Sequence, residues 1–566
     1  MTRPLAPLLL AFTLAACAPV ATTPVVVPQQ AAAPQKPIGF APIARAQRVV
    51  LISYDGLGAD QLAAQTNLPT FDWLAIGATR ARIIPVNPTT TAVTHTSILT
   101  GATPERHGIV SNRFHLPGTP LERATMGMDI ESDVETLVDA AKRQGKRTGC
   151  IPFPTMDGRT ARRTCDFGLA WADPAVKAQT LELTRAQFKR EWVPPTWTER
   201  PQRRSSFSPV MRARIEWRVP GEPLPLVRAD LDLVAYDTSN DRTTNYDAIY
   251  VEADGEELTV DDNGWFAMAR RSGDDLYGSW SKIVKADAAL EHVTVYFGEI
   301  SRNEAWPASF KTILNDGIGF WPGAPDNDAN ADSFMQQSDR LAYFLARVHA
   351  LALQSMPADL FLLYQPGIDE AQHQFLGTEP RVVRRAFETA DRTLNQVAAL
   401  LDYSRDALIV TGDHGLGRVE SELRINRVLA ENGLAPRWRA YTSGSVAQVY
   451  RFGEPDDTDA VAALFARIPQ IDRVERKTAA SHRNSGDLTV YTLPSVAAGA
   501  SSEAPALGPA DHPGQHGGWN THRELHTILF ARGQGVAQGD FGELSQTKIA
   551  RFVSALLGMA PPAAAE

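Results

Sequence analysis

The sequence predicts an α/β fold, with a mainly parallel central sheet flanked by helices and a β-rich insertion in the middle of the chain. Three observations lead there. Short apolar runs of the kind buried in parallel sheets recur along the chain. Amphipathic helical stretches separate them, and only the middle region alternates apolar and polar residues at period two.

The apolar runs are Arg48–Ser53, Leu360–Tyr364, Ala407–Thr411 and Thr527–Ala531, each followed by a polar loop. Strands covered on both faces read this way, and all four are taken as parallel. Ser333–Gln354, Arg381–Leu401 and Lys548–Leu557 carry apolar residues at helical spacing. In a sheet built by such alternation, ligand sites gather at the carboxyl ends of the strands. The middle differs: Met211–Val219 alternates apolar and polar, and Leu231–Ala235, Ile249–Ala253 and Val293–Phe297 do so more weakly. This assigns 196–330 to the insertion, 44–195 and 331–566 to the two parts of the core. No internal repeat of 20–50 residues is present.

With 566 residues the chain exceeds the usual single-domain size, and 43% hydrophobic with 21% charged residues describes an ordinary folded protein. The net charge is −9 with no dense Lys/Arg run, so a nucleic-acid polymer is not expected as a partner.

The N-terminus reads as an export signal over residues 1–16: Arg3 precedes an apolar stretch, Leu5 to Ala16, broken only by Thr13. It is too short to span a bilayer. Leu14-Ala15-Ala16-Cys17 resembles the bacterial lipobox, which implies an acylated Cys17, a membrane lipid anchor and an exported cell-envelope lipoprotein. The alternative is an ordinary signal peptide that contains a cysteine. Residues 17–43, rich in Ala, Pro, Val and Gln, read as a tether. Cys150 and Cys165 remain, as two buried thiols or as a disulfide closing a loop worth about 3 kcal/mol; export favours the disulfide.

Four segments place metal-capable side chains at strand ends. Asp55 follows the first apolar run and precedes Gly56, which would project a carboxylate into the crevice above the sheet; a loop-capping aspartate is the commoner meaning. Thr89 to Thr91 precede a helical stretch that continues to His107-Gly108-Ile109-Val110-Ser111-Asn112. Their hydroxyls suit helix caps, and a hydroxyl at a helix N-terminus also suits a nucleophile toward phosphate. Asp369 and His373 stand four apart, so on a helix both reach one cation. Asp413 and His414 end the third run and are sealed by Gly415. A late histidine, His516, sits in Gly514-Gln515-His516-Gly517-Gly518, which reads as a surface loop, with His512 as its competitor.

Together these segments resemble the alkaline phosphatase superfamily, in its type I phosphodiesterase/nucleotide pyrophosphatase branch, over most of 46–195 and 335–560. The resemblance implies an alkaline-phosphatase-like core and two Zn²⁺ ions. It implies one zinc held by Asp369, His373 and His516, and the other by Asp55, Asp413 and His414 with Thr91 completing the shell. Thr91 would be the nucleophile toward a small-molecule phosphate ester, and Asn112 would donate to a non-bridging phosphate oxygen. The charges agree: two Zn²⁺ bring four positive charges and three aspartates remove three, leaving an excess that attracts phosphate. Mixed Asp/His ligands suit zinc better than magnesium.

The remaining histidines read more plainly. His95 and His107 hold the loop by hydrogen bonds, and His482 is structural. The acidic loops 237–247 and 326–332 lack EF-hand spacing and stay unassigned. The chain also departs from the resemblance. Nucleotide-cleaving members carry an aromatic after the nucleophile, where Ala92 stands here, and a stacked base is worth about 1–3 kcal/mol. Threonine-dependent phosphomonoesterases carry a Lys-x-Arg pair; the corresponding region has Arg159, Arg162 and Arg163 but no such pair. A diester is therefore expected over a monoester, with the arginines as the alternative. A non-catalytic, surface-binding lipoprotein would show decayed ligands, and a Ser-His-Asp hydrolase would show a Gly-x-Ser-x-Gly elbow; neither holds.

Overall fold

Alternate residues of a strand face opposite sides of its sheet, and β1 (Arg48–Tyr54) divides accordingly. Val50, Ile52 and Tyr54 enter one apolar core; Val49 and Leu51 enter another on the opposite face. A computed structural model describes residues 40–120, 122–190, 206–326 and 329–566. The expected signal peptide, Cys17, the tether as far as residue 39 and the boundary at 195/196 lie outside the described residues. No helix among the described residues is long and apolar enough to cross a membrane.

Eight further strands complete the central sheet: β2 (Thr79–Ile84), β3 (Thr148–Ile151), β4 (Phe167–Leu169), β5 (Ala305–Trp306), β6 (Leu360–Gln365), β7 (Asp406–Gly412), β8 (Thr527–Gly533) and β9 (Gly539–Ser545). Their order is β5–β4–β3–β6–β1–β7–β8–β2–β9. Every pairing from β4 to β7 is parallel, as is β2 with β9. The sheet is thus mainly parallel, with one correction. β8, read from Thr527–Ala531 as a parallel strand, runs antiparallel to both β7 and β2. Its central place buries it whichever way it runs, so its composition carries no sign of direction.

The helices that matter are α1 (Thr91–Thr100), α2 (Ala331–Ser355), α3 (Gly367–Phe375), α4 (Pro380–Ala398) and α5 (Lys548–Leu556). α2 and α4 cover one face through Leu341, Leu345, Val348, Phe387, Leu394 and Val397. α1 and α5 cover the other through Ile98, Leu99, Ile549, Phe552 and Val553, each such side chain contributing about 1.5–3 kcal/mol. Asn330 caps α2 by accepting from the Ser333 N–H, and Pro380 opens α4 where its missing N–H is not needed. Cys150 on β3 and Cys165 are joined as a disulfide, with Cα atoms 5.9 Å apart.

Two antiparallel sheets form the β-rich region over a core that includes Trp217, Leu231, Leu233, Phe266 and Val295. Their strands extend from Gln179–Leu183 to Val293–Phe297, after which β5 rejoins the central sheet and Ala308–Gly317 turns helical. A further four-stranded antiparallel sheet, built from Trp438–Ser443, Val446–Arg451, Leu488–Thr492 and Ile471–Arg476, was not foreshadowed by the sequence pattern.

Candidate active site

Three neighbouring parallel strands deliver the carboxylates. Tyr54 at the end of β1 lies in register with Gln365 of β6 and Gly412 of β7, so the next residues of all three emerge at one edge. Asp55 leaves β1, Asp413 and His414 leave β7, and β6 leads into α3, which carries Asp369 and His373 one turn apart. Gly56 adopts φ +66°, and a Cβ there would come within 2.8 Å of the Asp369 Cα, so only glycine lets the two loops approach. The Gly56 N–H donates to Asp413 Oδ1, and Gln372 Nε2 of α3 donates to the Gly56 carbonyl.

Thr91 enters from the other side, as the first residue of α1. All ten residues of α1 are buried despite five hydroxyls, because Thr94, Thr96 and Thr100 donate back to carbonyls four residues earlier and Ser97 pairs with His107. The capping reading of Thr89 to Thr91 does not describe them. Thr90 makes no side-chain cap, Thr89 Oγ1 donates to the Gly518 carbonyl, and Thr91 Oγ1 lies 3.3 Å from His414 Nε2.

The histidines arrive with their ring orientation set. His373 Nδ1–H donates to the Gly514 carbonyl at 2.8 Å, and His516 Nδ1–H donates to the Thr89 carbonyl at 3.0 Å. Each leaves Nε2 with a free lone pair, the arrangement of a metal-binding imidazole. His516 is buried, not on the surface loop expected for it, because Gly514–Gln515 pairs as a short strand with Gly417–Arg418. His512, its competitor, stays partly exposed beside His373.

One ligand atom each from Asp369, His414 and His516 lie within 4.8 Å of one another, as do one each from Asp55, His95 and Asp413. His373 Nε2 adjoins the first group, 3.3 Å from Asp369 Oδ2. His414 faces both, its Nε2 lying 3.0 Å from Asp413 Oδ2 and 3.6 Å from Asp55 Oδ1. His95 is not free to bind a cation. Its Nδ1–H donates to the Thr91 carbonyl at 2.9 Å and its Nε2 accepts from Ser53 Oγ, so it holds the start of α1. The structure thus brings Asp55, Thr91, Asp369, His373, Asp413, His414 and His516 to one place.

Electrostatics show what the cluster lacks. Burial and the Asp413 and Asp369 charges push the Asp55 carboxyl well above the usual carboxylate range. Burial also acts upward on Asp413 and Asp369, but His414 holds the first, and His373 the second, below that range. Burial, reinforced by His414, pushes His516 down to about 3, which leaves it neutral. Asp55 Oδ1, Asp369 Oδ1 and His414 Nδ1 are buried without partners. Buried orphan carboxylate oxygens grouped with imidazoles fit divalent cations.

The family model for type I phosphodiesterase/nucleotide pyrophosphatase matches residues 49–216 and 234–519. The chain belongs to this family. It is a phosphoric ester hydrolase by that membership, and the match runs into the insertion, breaking only at 217–233. Human ectonucleotide pyrophosphatase/phosphodiesterase 5 shares the fold at TM-score 0.52 and 13% identity, covering 91% of this chain and 96% of that one. An inactive murine form of that enzyme in complex with AMP gives 0.51 at 13%, with coverage of 91% and 96%. Phosphonoacetate hydrolase from Sinorhizobium meliloti in complex with phosphonoacetate gives 0.50 at 15%, with 91% and 95%. No curated protein matches the chain by sequence.

Two departures from other family members acquire structural causes. Ala92 is fully buried, and Gly127 lies directly over it: a Cβ on Gly127 would stand 2.9 Å from the Ala92 Cβ and 2.4 Å from the Ser111 carbonyl. The position after Thr91 is therefore roofed as well as without an aromatic face. Two of the three arginines are held by the fold, and Arg159 sits in an exposed surface pair. Arg163 donates to the Thr155, Met128 and Asp129 carbonyls and to Asp157; Arg162 donates to the Ser132 and Val134 carbonyls; Arg159 pairs with Asp173.

Asn112 Oδ1 accepts the Ala92 N–H at 2.8 Å, which fixes the amide and leaves its NH2 as the outward donor. His107 and His482 are structural, bonded to Ser97 and Asp133. In the loop 237–247, Asp237 and Asp247 are occupied by local serine, threonine and backbone donors. Sequence reasoning missed Tyr364, whose hydroxyl donates to Asp55 Oδ2 at 2.6 Å, and Gln546, whose Nε2 donates to the Asp413 carbonyl. Only the polar tip of Tyr364 in an otherwise apolar run could have signalled it.

Proposed function

We propose that this chain is a two-zinc phosphodiesterase acting on small aryl or alkyl phosphodiesters, with Thr91 as nucleophile. The observation that carries the reading is the gathering of three aspartates and three imidazoles beside a helix N-terminus, with His414 Nε2 3.3 Å from the Thr91 hydroxyl. Asp369, His373 and His516 would hold one zinc; Asp55, Asp413 and His414, with Thr91, the other. Two zinc ions so bound supply Lewis acidity, which lowers the threonine hydroxyl pKa and neutralises charge on the phosphate.

Thr91 Oγ1 gives up its proton to solvent and attacks phosphorus in line with the ester oxygen, forming a phospho-threonine as the P–O bond to the leaving alkoxide breaks. The leaving group departs with a proton from solvent. Water then cleaves the phosphorus–Thr91 bond, returns the hydroxyl and releases a phosphate monoester. The Asn112 NH2, oriented by the Ala92 N–H, binds a non-bridging oxygen through this charge development. Asn112, a neutral donor, suits a singly charged diester. The engagement of Arg162 and Arg163 by backbone carbonyls and a roofed Ala92 support the same choice, with little preference among nucleotide bases.

A substrate panel on zinc-loaded enzyme tests this: bis-p-nitrophenyl phosphate should give a higher kcat/KM than p-nitrophenyl phosphate, and nucleotide diesters should differ little from one another. A faster monoester would overturn the diester assignment. The lipobox-like Leu14 to Cys17 supports an exported, lipid-anchored location in the cell envelope, with the acyl chains on Cys17 as the membrane contact.

A further inference from the structure

Asp55 has two carboxylate oxygens in different situations. Oδ2 accepts the Tyr364 hydroxyl at 2.6 Å, the length of a charge-assisted O–H···O⁻ bond. Oδ1 is buried with no hydrogen-bond partner and lies 3.6 Å from His414 Nε2. The phenol belongs to β6, paired in parallel with β1, so two neighbouring strands of the rigid sheet set its distance to Asp55. The ring is buried too, lying edge-on to His95 with centroids 5.5 Å apart at 74°. His95 in turn holds the Thr91 carbonyl. Tyr364 therefore has little freedom to release Oδ2, and it touches the back of both the carboxylate and the imidazole that anchors the nucleophile's helix.

We infer that Tyr364 is a positioning residue for metal binding: by occupying Oδ2 it makes Asp55 a one-oxygen ligand through Oδ1 and fixes the direction in which that oxygen points. The inference rests on the two-zinc reading above. A carboxylate relieved of such a partner can rotate about its Cβ–Cγ bond and offer either oxygen or both. The ion it serves then loses a prepaid orientation, and outer partners of this kind are worth about 10–100-fold in metal affinity.

The test is Tyr364→Phe, which keeps the ring and its packing and removes one oxygen. Zinc is titrated into metal-free wild type and variant against a competing chelator, with bound zinc counted by elemental analysis. Wild type should take two equivalents. The variant should keep one site at wild-type affinity and bind the other about 10–100-fold more weakly. Asp55→Asn identifies the sites: the step weakened in Tyr364→Phe should be the step it removes. Thermal melting of the metal-free proteins checks the fold. Two zinc sites of unchanged affinity in a folded Tyr364→Phe would overturn the positioning role while leaving the two-zinc reading intact. Uniform weakening of both sites would overturn it as well, since it would mark a general structural effect. A wild type that binds no zinc would bring down both readings together.

Discussion

Removing the Arg163 guanidinium separates a structural arginine from a substrate-binding one. Arg163 is 5% exposed, and its head group meets three backbone carbonyls and the Asp157 carboxylate, with the Asp157 contact at 2.6 Å. Arg163→Met keeps the stem and leaves Asp157 without its buried partner. Breaking one member of such a pair costs about 3–5 kcal/mol, and the three carbonyls push the value toward the upper end. The Met128 and Asp129 carbonyls directly follow Gly127, which roofs Ala92, so any catalytic effect should pass through that segment and act on every substrate alike. The assay pairs a denaturant midpoint, followed by tryptophan fluorescence, with kcat/KM for bis-p-nitrophenyl phosphate and p-nitrophenyl phosphate. A lowered midpoint and equal losses on the two substrates are expected. An unchanged midpoint with loss confined to the monoester would refute the reasoning and make Arg163 the charge-reading group of a phosphatase.

Thorough chelation should abolish activity, zinc should restore it better than magnesium, and Asp413→Asn should lose several orders of magnitude in kcat together with bound zinc; full activity in a metal-free sample would remove the metal from the mechanism. His349, whose Nε2–H donates to the Ile151 carbonyl, is pushed down to about 3 by burial, so it stays neutral when folded and charges when unfolded. The stability it contributes is present above its unfolded pKa near 6.5 and lost as pH falls toward 3. Wild type should therefore weaken against His349→Leu by about 1.4 kcal/mol per pH unit across that window, and parallel pH–stability curves would contradict the assignment. Cys17→Ser should move the protein from the membrane fraction to a soluble exported or unprocessed form; wild type recovered only as soluble protein would end the lipid-anchor proposal.

What was legible in the sequence was local. β1, β6 and β7 could be read because strands buried on both faces are nearly continuous in apolar residues, and Asp55, Asp413 and His414 because glycine-sealed acids and histidines at strand ends have few packing explanations. Direction was not legible for β8, since burial looks the same either way along the strand. Nor was the burial of His516, which depends on a two-residue pairing with Gly417–Arg418 about a hundred positions earlier in the chain. Tyr364 and the Gly127 roof escaped for the same reason: each acts on a residue distant in sequence, and its own neighbourhood does not show which one. The arginines were read as possible ligands for charge because sequence shows a cation but not the carbonyls that already hold it.

The bond between His516 and the Thr89 carbonyl spans 427 positions, and it has a consequence for how the protein is made. The start of α1 leaves the ribosome long before the histidine that closes against it. A chain ending before residue 516 can complete most of the central sheet, yet it has no means of finishing the cluster. The cluster is thus a late product of synthesis, because a chain that stops short of His516 lacks one of its groups.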